Sequence, residues 1–422
     1  RLIEILSMYN IYYINKMDFK SKNSPSMGAY ETISNEVEPT GVKYDQGLKP
    51  LGIDGRIHDM VFSPSNGESF TVSTSNKLVR IPINATGFLI PKESYIQVTF
   101  TPTCFKTDGT TATTCGFKSD VHSLISNLRI IGTGGQRIED IQQYNVLYEI
   151  FKNAQTTTEF NDTNKIKVGS DATNLMSNAT SYGYVLHLMS GLFLSDNYIP
   201  VGFVREPVVI EIDLEIVNNA LIGAADTVTA RSSYVVSNIE FHACVLDLGQ
   251  DYDENFRRKL VENDGIEWSG VGYTYTSASG STGTLQNLNC ALPFHSLKSV
   301  VAVDRTTIGT ITAANSYVHN NLSQYQLLIG GKQYPSAPIL RSATNMGRAF
   351  VEFQKCFGIP TDIGGGSLIT SANYLSSKAI LGVDLESYNE DQFIRSGIDT
   401  SDNRQMILRA QYSAAPSAST WS

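Results

Sequence analysis

The sequence predicts an all-β protein with a few inserted helices, arranged as two similar domains in tandem. From residue 51 onward, short runs of alternating apolar and polar residues follow one another, separated by Gly, Pro, Asn and Ser turn signals. Short sequence matches recur at a nearly constant, domain-sized offset. At 422 residues, the chain is also too long for one ordinary core and suits two or three domains.

Two runs show the strand period most clearly. Residues 95–105 (YIQVTFTPTCF) and 208–216 (VVIEIDLEI) alternate between apolar and polar side chains. Because successive side chains of a strand point to opposite faces, the apolar residues up to Ile216 are expected to share one face. Both runs are therefore predicted to be half-buried strands.

Three carboxylates, Glu211, Asp213 and Glu215, occupy the other face of the second run. Carboxylate clusters suit hard metal ions. No histidine or further acidic cluster lies near these residues in sequence, so the favoured interpretation is a solvated strand face.

Helical periodicity is confined to a few stretches. In residues 138–153, one apolar stripe with three- and four-residue spacing contains Ile138, Ile141, Tyr144, Tyr148 and Phe151. Residues 341–355 are predicted to form another helix. The remaining helical stretch lies between the two predicted domains.

The most informative pattern is an internal repeat. The run from His122 to Ser126 (HSLIS) recurs from His295 to Ser299 (HSLKS), at an offset of 173 residues. The triplet Asp213–Glu215 (DLE) recurs as Asp384–Glu386, at an offset of 171 residues. Both matches fall in predicted strands or lead into them, which indicates a duplicated unit.

The order of elements supports the repeat. In the first half, a strand at 128–131 leads to Gly134-Gly135 and then to a helix. In the second half, a strand at 325–329 leads to Gly330-Gly331, which suits a tight hairpin turn, and again to a helix. The two halves are also expected to close with strands, at 238–248 and 405–412.

A unit of about 170 residues is a whole domain, far longer than the repeats of solenoids and propellers. Roughly eight strands per unit with long loops match a jelly roll, which is two Greek keys folded into two packed sheets. The sequence therefore predicts jelly rolls at 51–250 and 251–413. The second opens with a connector helix at 252–262, with Asp251 or Asp253 as its N-cap.

The two ends of the sequence have no such pattern. Residues 1–50 are predicted to be an N-terminal arm and residues 414–422 a C-terminal tail. Residues 1–16 lack a small-residue cleavage site and fit a signal peptide poorly. Met17 is a plausible initiator, which would place residues 1–16 upstream of the true start.

Charge argues against nucleic-acid binding as the main role. The net charge is −9, from 32 basic and 41 acidic residues, and the longest basic run is Arg257–Lys259. Phosphate binding needs a clustered positive surface. No run of the sequence reaches the roughly 20 apolar residues of a membrane-spanning helix.

The five cysteines are scattered and form no CxxC pair, which argues against a zinc site. Cys104 and Cys115 flank a polar loop and could form a disulfide. Free thiols in a reducing compartment are the favoured alternative.

No catalytic, cofactor-binding or metal-ligating residue is predicted. The six histidines form no HxH or HExxH pair, and neither a nucleophile elbow nor a phosphate loop is present. His122 and His295 occupy matching repeat positions, so both are expected to be structural. Gly132–Gly135 lacks the spacing of a dinucleotide fingerprint, and Gly364–Gly366 is expected to be a flexible loop. Trp421, on the tail, is the one exception among the aromatic residues and is a candidate anchor into a neighbouring subunit.

Three residue runs carry a family resemblance. They are the YIPVGF loop at 198–203 before the strand at 207–216, the opening of a second-domain strand at 294–299, and the hairpin at 325–335 (YQLLIGGKQYP). With these runs, residues 51–413 resemble the double jelly-roll major capsid proteins of tailless icosahedral double-stranded DNA viruses. The modest size and short loops are most similar to those of polinton-like viruses and virophages.

The resemblance implies a homotrimer, because three copies of two similar sandwiches form a pseudo-hexagonal capsomer that tiles an icosahedral shell. It implies a location in the virion, assembled inside the host cell, and contacts with penton and minor or cement proteins. The arm, residues 17–50 if Met17 starts the chain, is expected on the inner side, where it bridges capsomers or meets minor proteins or an inner membrane.

Two other functions remain open. A β-sandwich adhesin or receptor-binding fibre protein would explain the all-β character and the 21 tyrosines, but not the paired domains. A jelly-roll carbohydrate-active enzyme would need two carboxylates converging in a cleft about 5–10 Å apart. The sequence does not show such convergence.

Overall fold

A computed structural model describes residues 2–6, 55–72, 77–171, 176–262, 271–278, 283–290, 293–305, 310–312, 317–359, 366–386, 396–402 and 405–416. Every pairing between its strands is antiparallel. The prediction of an all-β protein with a few helices is confirmed.

The strands up to residue 250 are β1 (Leu2–Leu6), β2 (Arg56–Phe62), β3 (Ser69–Thr71), β4 (Leu78–Ile83), β5 (Phe88–Leu89), β6 (Tyr95–Thr103), β7 (Thr114–Phe117), β8 (Ile125–Ile131), β9 (Arg137–Gln142), β10 (Met176–Ser177), β11 (Tyr182–Leu186), β12 (Val208–Leu214), β13 (Leu221–Gly223) and β14 (Ser233–Asp247). Those after it are β15 (Tyr273–Ser277), β16 (Leu285–Cys290), β17 (Ser299–Val303), β18 (Leu322–Ile329), β19 (Lys332–Leu340), β20 (Ile380–Asp384) and β21 (Met406–Tyr412). The helices are α1 (Tyr144–Gln155), α2 (Thr158–Val168), α3 (Val217–Ala220), α4 (Gln250–Glu262), α5 (Gly347–Lys355) and α6 (Ser371–Tyr374).

The first unit is a sandwich of two main sheets and also contains a small sheet of order β10-β7-β13. One main sheet has the order β11-β6-β14-β2, with short strands β3 and β5 added to β14, and the other has the order β4-β12-β8-β9. We number the eight long strands of these two sheets from first to eighth in chain order. The first sheet then has the order sixth-third-eighth-first, and the second has the order second-seventh-fourth-fifth. This interleaving is the arrangement of two Greek keys in a jelly roll.

Alternation along the strands builds the core between these sheets. Ile210 of β12 pairs with Ile81 of β4 and Ile130 of β8, and all three are fully buried. Phe100 of β6 and Phe241 of β14 face them from the other sheet and are also fully buried. Burying each such side chain contributes about 1.5–3 kcal/mol.

The second unit repeats part of this arrangement. One sheet has the order β16-β21-β18-β19 and the other the order β15-β1-β17-β20. In chain order, β16, β17 and β18 match the first three strands of the first unit, and β19, β20 and β21 match the last three. Among the described residues, no strand matches β8 or β9. Helix α5 packs against β20, where Gly382 lies against the backbone of Phe353.

Sheet order shows which repeat matches join equivalent strands. The DLE triplets begin in β12 and β20, the matching seventh strands, so that match is correct. The HSL run of the first unit leads into β8, the fourth strand of that unit. The HSL run of the second unit leads into β17, which matches the second strand of the first unit. That repeat match is therefore wrong. The glycine hairpins are also not equivalent. Strands β8 and β9 are the fourth and fifth strands of the first unit, whereas β18 and β19 match its third and sixth strands, which lie in the other sheet of the sandwich.

The helix predictions need corrections. Residues 138–142 of the predicted helix at 138–153 belong to β9, and helix α1 begins only at Tyr144. The helix predicted at 341–355 is shorter, Gly347–Lys355. The connector helix begins at Gln250, so Asp251 and Asp253 lie in its first turn rather than at the N-cap. Gly265, the glycine that the sequence places just past the end of this helix, lies outside the described residues.

The buried residues of both units form one continuous cluster. Phe151 of α1 joins the units, with ring-centroid distances of 5.6 Å to Tyr273 and 5.0 Å to Phe357. Gly191 also lies at this junction, and a Cβ there would come within 1.5 Å of the carbonyl oxygen of Val271. The units are thus packed together through side chains while each keeps its own pair of sheets.

One strand lies within the predicted arm. Residues 2–6 form β1, which pairs with β15 on one side and β17 on the other. Residues 7–54 and the tail from 417 lie outside the described residues. The domain limits at 51–250 and 251–413 stay a prediction.

Candidate functional site

The carboxylates of β12 form an ion-pair ladder with arginines of the neighbouring strands. Arg129 of β8 lies between two of them, with Nη2 2.6 Å from Asp213 and Nε 3.5 Å from Glu211. Arg80 of β4 contacts Glu211 from the other side at 3.4 Å. The side chains of Glu211 and Asp213 expose only 14% and 17% of their surface. The expected solvated strand face is therefore wrong; the charges neutralise one another within the sheet.

Glu215 turns away from this ladder because a bulge follows Asp213. It is buried, and its carboxylate accepts hydrogen bonds from Asn145 at 3.0 Å and Asn219 at 3.1 Å. Ile216 is 48% exposed, so the buried apolar face of this strand ends at Leu214 and not at Ile216 as predicted. The three carboxylates do not converge on one point.

A buried polar cluster surrounds His122. Asp120 accepts hydrogen bonds from the backbone N–H of His122 at 2.9 Å and from Lys152 Nζ at 3.0 Å. The imidazole stacks on Tyr148 at 3.7 Å, and its Nδ1 lies 3.0 Å from the Tyr144 hydroxyl. Burial lowers the pKa of His122 to about 4, so the ring is neutral at pH 7. Every group here has a packing partner, which indicates a structural role.

The second copy of the motif has a different environment. His295 is exposed, whereas Lys298 is buried and forms an ion pair with Glu386 at 2.6 Å. Ser396 donates a second hydrogen bond to Glu386 at 2.7 Å. The expectation that His295 is structural stays a prediction; at this corner the buried charge is that of the lysine–glutamate pair.

A buried cation lies in the second unit. Arg341 is 1% exposed; its Nη2 donates to the carbonyl of Tyr374 at 2.7 Å, and its guanidinium lies 4.4 Å from the centre of that ring. Burial lowers its pKa and also lowers the pKa of nearby His319 to about 4. No carboxylate among the described residues forms an ion pair with it.

The five cysteines are free and buried. Cys104 and Cys115 are hydrogen-bonded to each other, and this bond, together with burial, raises the pKa of the Cys115 thiol. The structure therefore shows adjacent thiols at this position rather than a disulfide.

The glycine-rich segments have structural explanations. Gly132–Gly135 is the turn between β8 and β9, and the Gly134 N–H donates to Glu206 at 2.6 Å. Gly366 lies against Thr157, while Gly364, Gly365 and Trp421 lie outside the described residues. Among the residues that the structure describes, no group of three metal-ligating side chains occurs. Within the same residues, no helix is long and apolar enough to cross a membrane.

An open cleft lies beside the His122 cluster, between α1, α2 and residues 187–194. Its walls carry aromatic side chains, histidines, lysines and amides, but neither an aspartate nor a glutamate. Carbohydrate cleavage by paired carboxylates therefore has no counterpart in this cleft.

Two exposed sheet surfaces differ from the charged ladder. We define the first outer face by eleven of the outward residues of β2, β6, β11 and β14: Ile57, Asp59, Val61, Gln97, Thr99, Thr101, Val185, Val235, Ser237, Glu240 and His242. The second outer face comprises the outward residues of β16, β18, β19 and β21: Leu285, Asn287, Asn289, Gln324, Gln326, Leu328, Gln333, Leu340, Ile407, Arg409 and Gln411. Both carry few charges.

Comparison with known proteins gives no matching family model and no matching curated protein. Solved structures do match. PBCV-1 Vp54, fitted into a reconstruction of the virophage Sputnik, has a TM-score of 0.56 at 13% identity, over 89% of each chain. This chain has the double jelly-roll fold. The Faustovirus major capsid protein has a TM-score of 0.55 at 10% identity, over 92% of this chain and 91% of that one.

This double jelly roll also resembles the capsid model of PBCV-1, with a TM-score of 0.54 at 12% identity over 89% of each chain. At such identities the likeness is one of fold. Sequence reasoning anticipated that fold but missed the two outer faces. Their signal was present in the alternation of residues 406–412, but only the pairing of strands brings Asn287, Arg409 and Gln326 into one row.

Proposed function

We propose that this chain is the structural major capsid protein of an icosahedral virus and trimerises into pseudo-hexagonal capsomers that tile the virion shell. The observation that carries the proposal is the double jelly-roll fold, matched over about nine-tenths of the chain to capsid proteins of PBCV-1 and Faustovirus. The proposed location is the virion, and the proposed role is not enzymatic.

The geometry of the chain supports this role. Two sandwiches packed side by side give one copy two similar bodies, so three copies around an axis offer six. Closed rings of this kind are built from head-to-tail contacts. Penton and minor proteins, and an inner membrane, are the further partners proposed. Residues 1–50 are proposed as the inner arm, except for β1, which pairs with strands of the second unit, and residues 51–250 and 251–413 are proposed as the two domains.

The test is the oligomeric state and assembly of the purified full-length chain. Light scattering should give about three times the 46.3 kDa chain mass, and negative-stain images should show pseudo-hexagonal particles or shells. A protein that stays monomeric at all concentrations and binds glycans on an array would instead support the adhesin alternative.

A further inference from the structure

The second outer face has an unusual composition for an exposed surface. Its central row runs Asn287, Arg409, Gln326 across three strands, and the next row runs Leu285, Gln411, Gln324, Leu340. Gln326 is only 4% exposed, so the central row is open to solvent at Asn287 and Arg409. Arg409 is the single formal charge of the face, and among the described residues it forms no ion pair. Leu285 and Leu340 are 47% and 43% exposed.

Two glutamines of this face already have hydrogen-bond partners. Gln324 donates to Gln411 at 2.7 Å, and Gln326 donates to the carbonyl of Pro335 at 2.8 Å. Burying an unpaired amide is costly, whereas burying a paired one loses little. Removing water from these paired amides when a partner docks should therefore cost little free energy.

The first outer face has the opposite charge. It contains two carboxylates, Asp59 and Glu240, and neither a lysine nor an arginine. Glu240 is partly buried, with 42% of its side chain exposed, and within the described part of the chain its ion-pair partner is His242, at 3.4 Å. Ile57 and Val61, on the same face of edge strand β2, are 60% and 52% exposed.

The remaining outer surface of the first unit lacks these properties. Arg80, Arg129, Glu211 and Asp213 are paired within one sheet, so this surface is already neutralised. Cores of protein interfaces are depleted in charged residues, and complementary potentials select which surfaces meet. The two charge-poor faces, one acidic and one basic, fit these requirements.

We infer that the first outer face of one copy docks against the second outer face of the next copy, with Glu240 and Arg409 at the junction. The contact is head-to-tail, because the two faces have opposite charge and neither is self-complementary. Each copy offers one of each, and such head-to-tail contacts close into a ring when the rotation between neighbouring copies brings the third copy back to the first. The inference rests on the proposed trimer and names the surfaces that build it.

The test uses charge reversal at Arg409 and Glu240 in the full-length chain. Arg409→Glu and Glu240→Arg each place like charges at the junction, so the protein concentration at half-assembly should rise at least about tenfold. The double variant restores opposite charges and should assemble like the wild type. Arg137→Glu, on the charged surface, is the matched control and should leave assembly unchanged. Sedimentation gives the trimer fraction, and circular dichroism checks folding.

Mixing the single variants sharpens the test. In a three-membered ring, any mixture of the two leaves at least one like-charged junction, so the mixture should assemble less well than the double variant. Single variants that trimerise like the wild type, or a double variant that fails to recover, would overturn the inference and leave the proposed function standing. A wild-type chain that never trimerises would overturn both.

Discussion

The two units place the same short motif in opposite environments. In the first, the HSL run is buried, with His122 stacked on Tyr148 and Asp120 paired with Lys152. In the second, His295 is exposed and the buried charge belongs to Lys298, paired with Glu386. Both runs lead into a strand beside the seventh strand of their unit, yet from different positions in the chain. Equal sequence therefore does not imply an equal place in the sheet.

The largest expected difference concerns the buried ion pairs. Asp120 is fully buried and Lys152 is 14% exposed, so Asp120→Ala leaves a nearly buried cation without its partner. We expect the free energy of unfolding of the first unit to fall by about 3–5 kcal/mol. Urea denaturation followed by circular dichroism measures this. Asp140→Ala, which removes an exposed pair with Arg137, should cost at most about 1 kcal/mol.

The next effect is on pH dependence. The pKa of His122 is lowered to about 4, by burial above all. Asp120 opposes this shift, and Lys152, Lys167 and His187 add to it. Below the unfolded pKa of about 6.5, His122 binds a proton in the unfolded chain but stays neutral in the folded chain. The free energy of unfolding therefore falls as the pH drops from 6.5 to 4.

The full loss over this range amounts to about 3 kcal/mol. Replacing His122 with phenylalanine keeps an aromatic ring for stacking and removes the titratable imidazole, so the variant should lack this part of the pH dependence. Melting temperatures of both proteins between pH 4 and 7 give the comparison. Parallel curves would show that His122 does not titrate as its burial requires.

A smaller loss is expected in the second unit. Lys298→Ala removes the partner of Glu386, but that carboxylate is 23% exposed and keeps its hydrogen bond from Ser396. The free energy of unfolding should fall by about 1–3 kcal/mol, less than for Asp120→Ala. The same urea titration serves, and an equal or larger loss would mean that the two corners are energetically alike.

The smallest effect separates the histidines themselves. His295→Ala changes an exposed side chain and should alter stability by no more than about 0.5 kcal/mol. His122→Ala removes a buried ring with a stacking partner and should cost several times as much. Differential scanning calorimetry of the pair decides whether the sequence match has any energetic counterpart.

Much of the fold could be predicted from strand periodicity. The alternation in residues 208–214 places Ile210 and Ile212 in the core, as observed. Gly330-Gly331 forms the tight turn between β18 and β19, where Ile329 pairs with Lys332. Strand β9 was mistaken for helix because Glu139 is on its buried side, so the period of two was hidden.

The assembly surfaces were not predictable in the same way. Arg409 and Glu240 each stand in a strand that sequence alone identifies, but nothing in either strand indicates how few charges surround them. That property depends on which strands are neighbours, and neighbours in a jelly roll are distant in sequence.

The sequence by itself determined the strands, the two-unit plan and the scarcity of charge, because hydrophobic period and composition are local properties. Only the tertiary structure decided which strands of the two units correspond, which charges are buried in pairs and which faces remain nearly uncharged. These features depend on antiparallel pairing between strands such as β16 and β21, which lie more than 100 residues apart in the sequence. Register in such sheets is fixed by packing of the whole core rather than by any one segment.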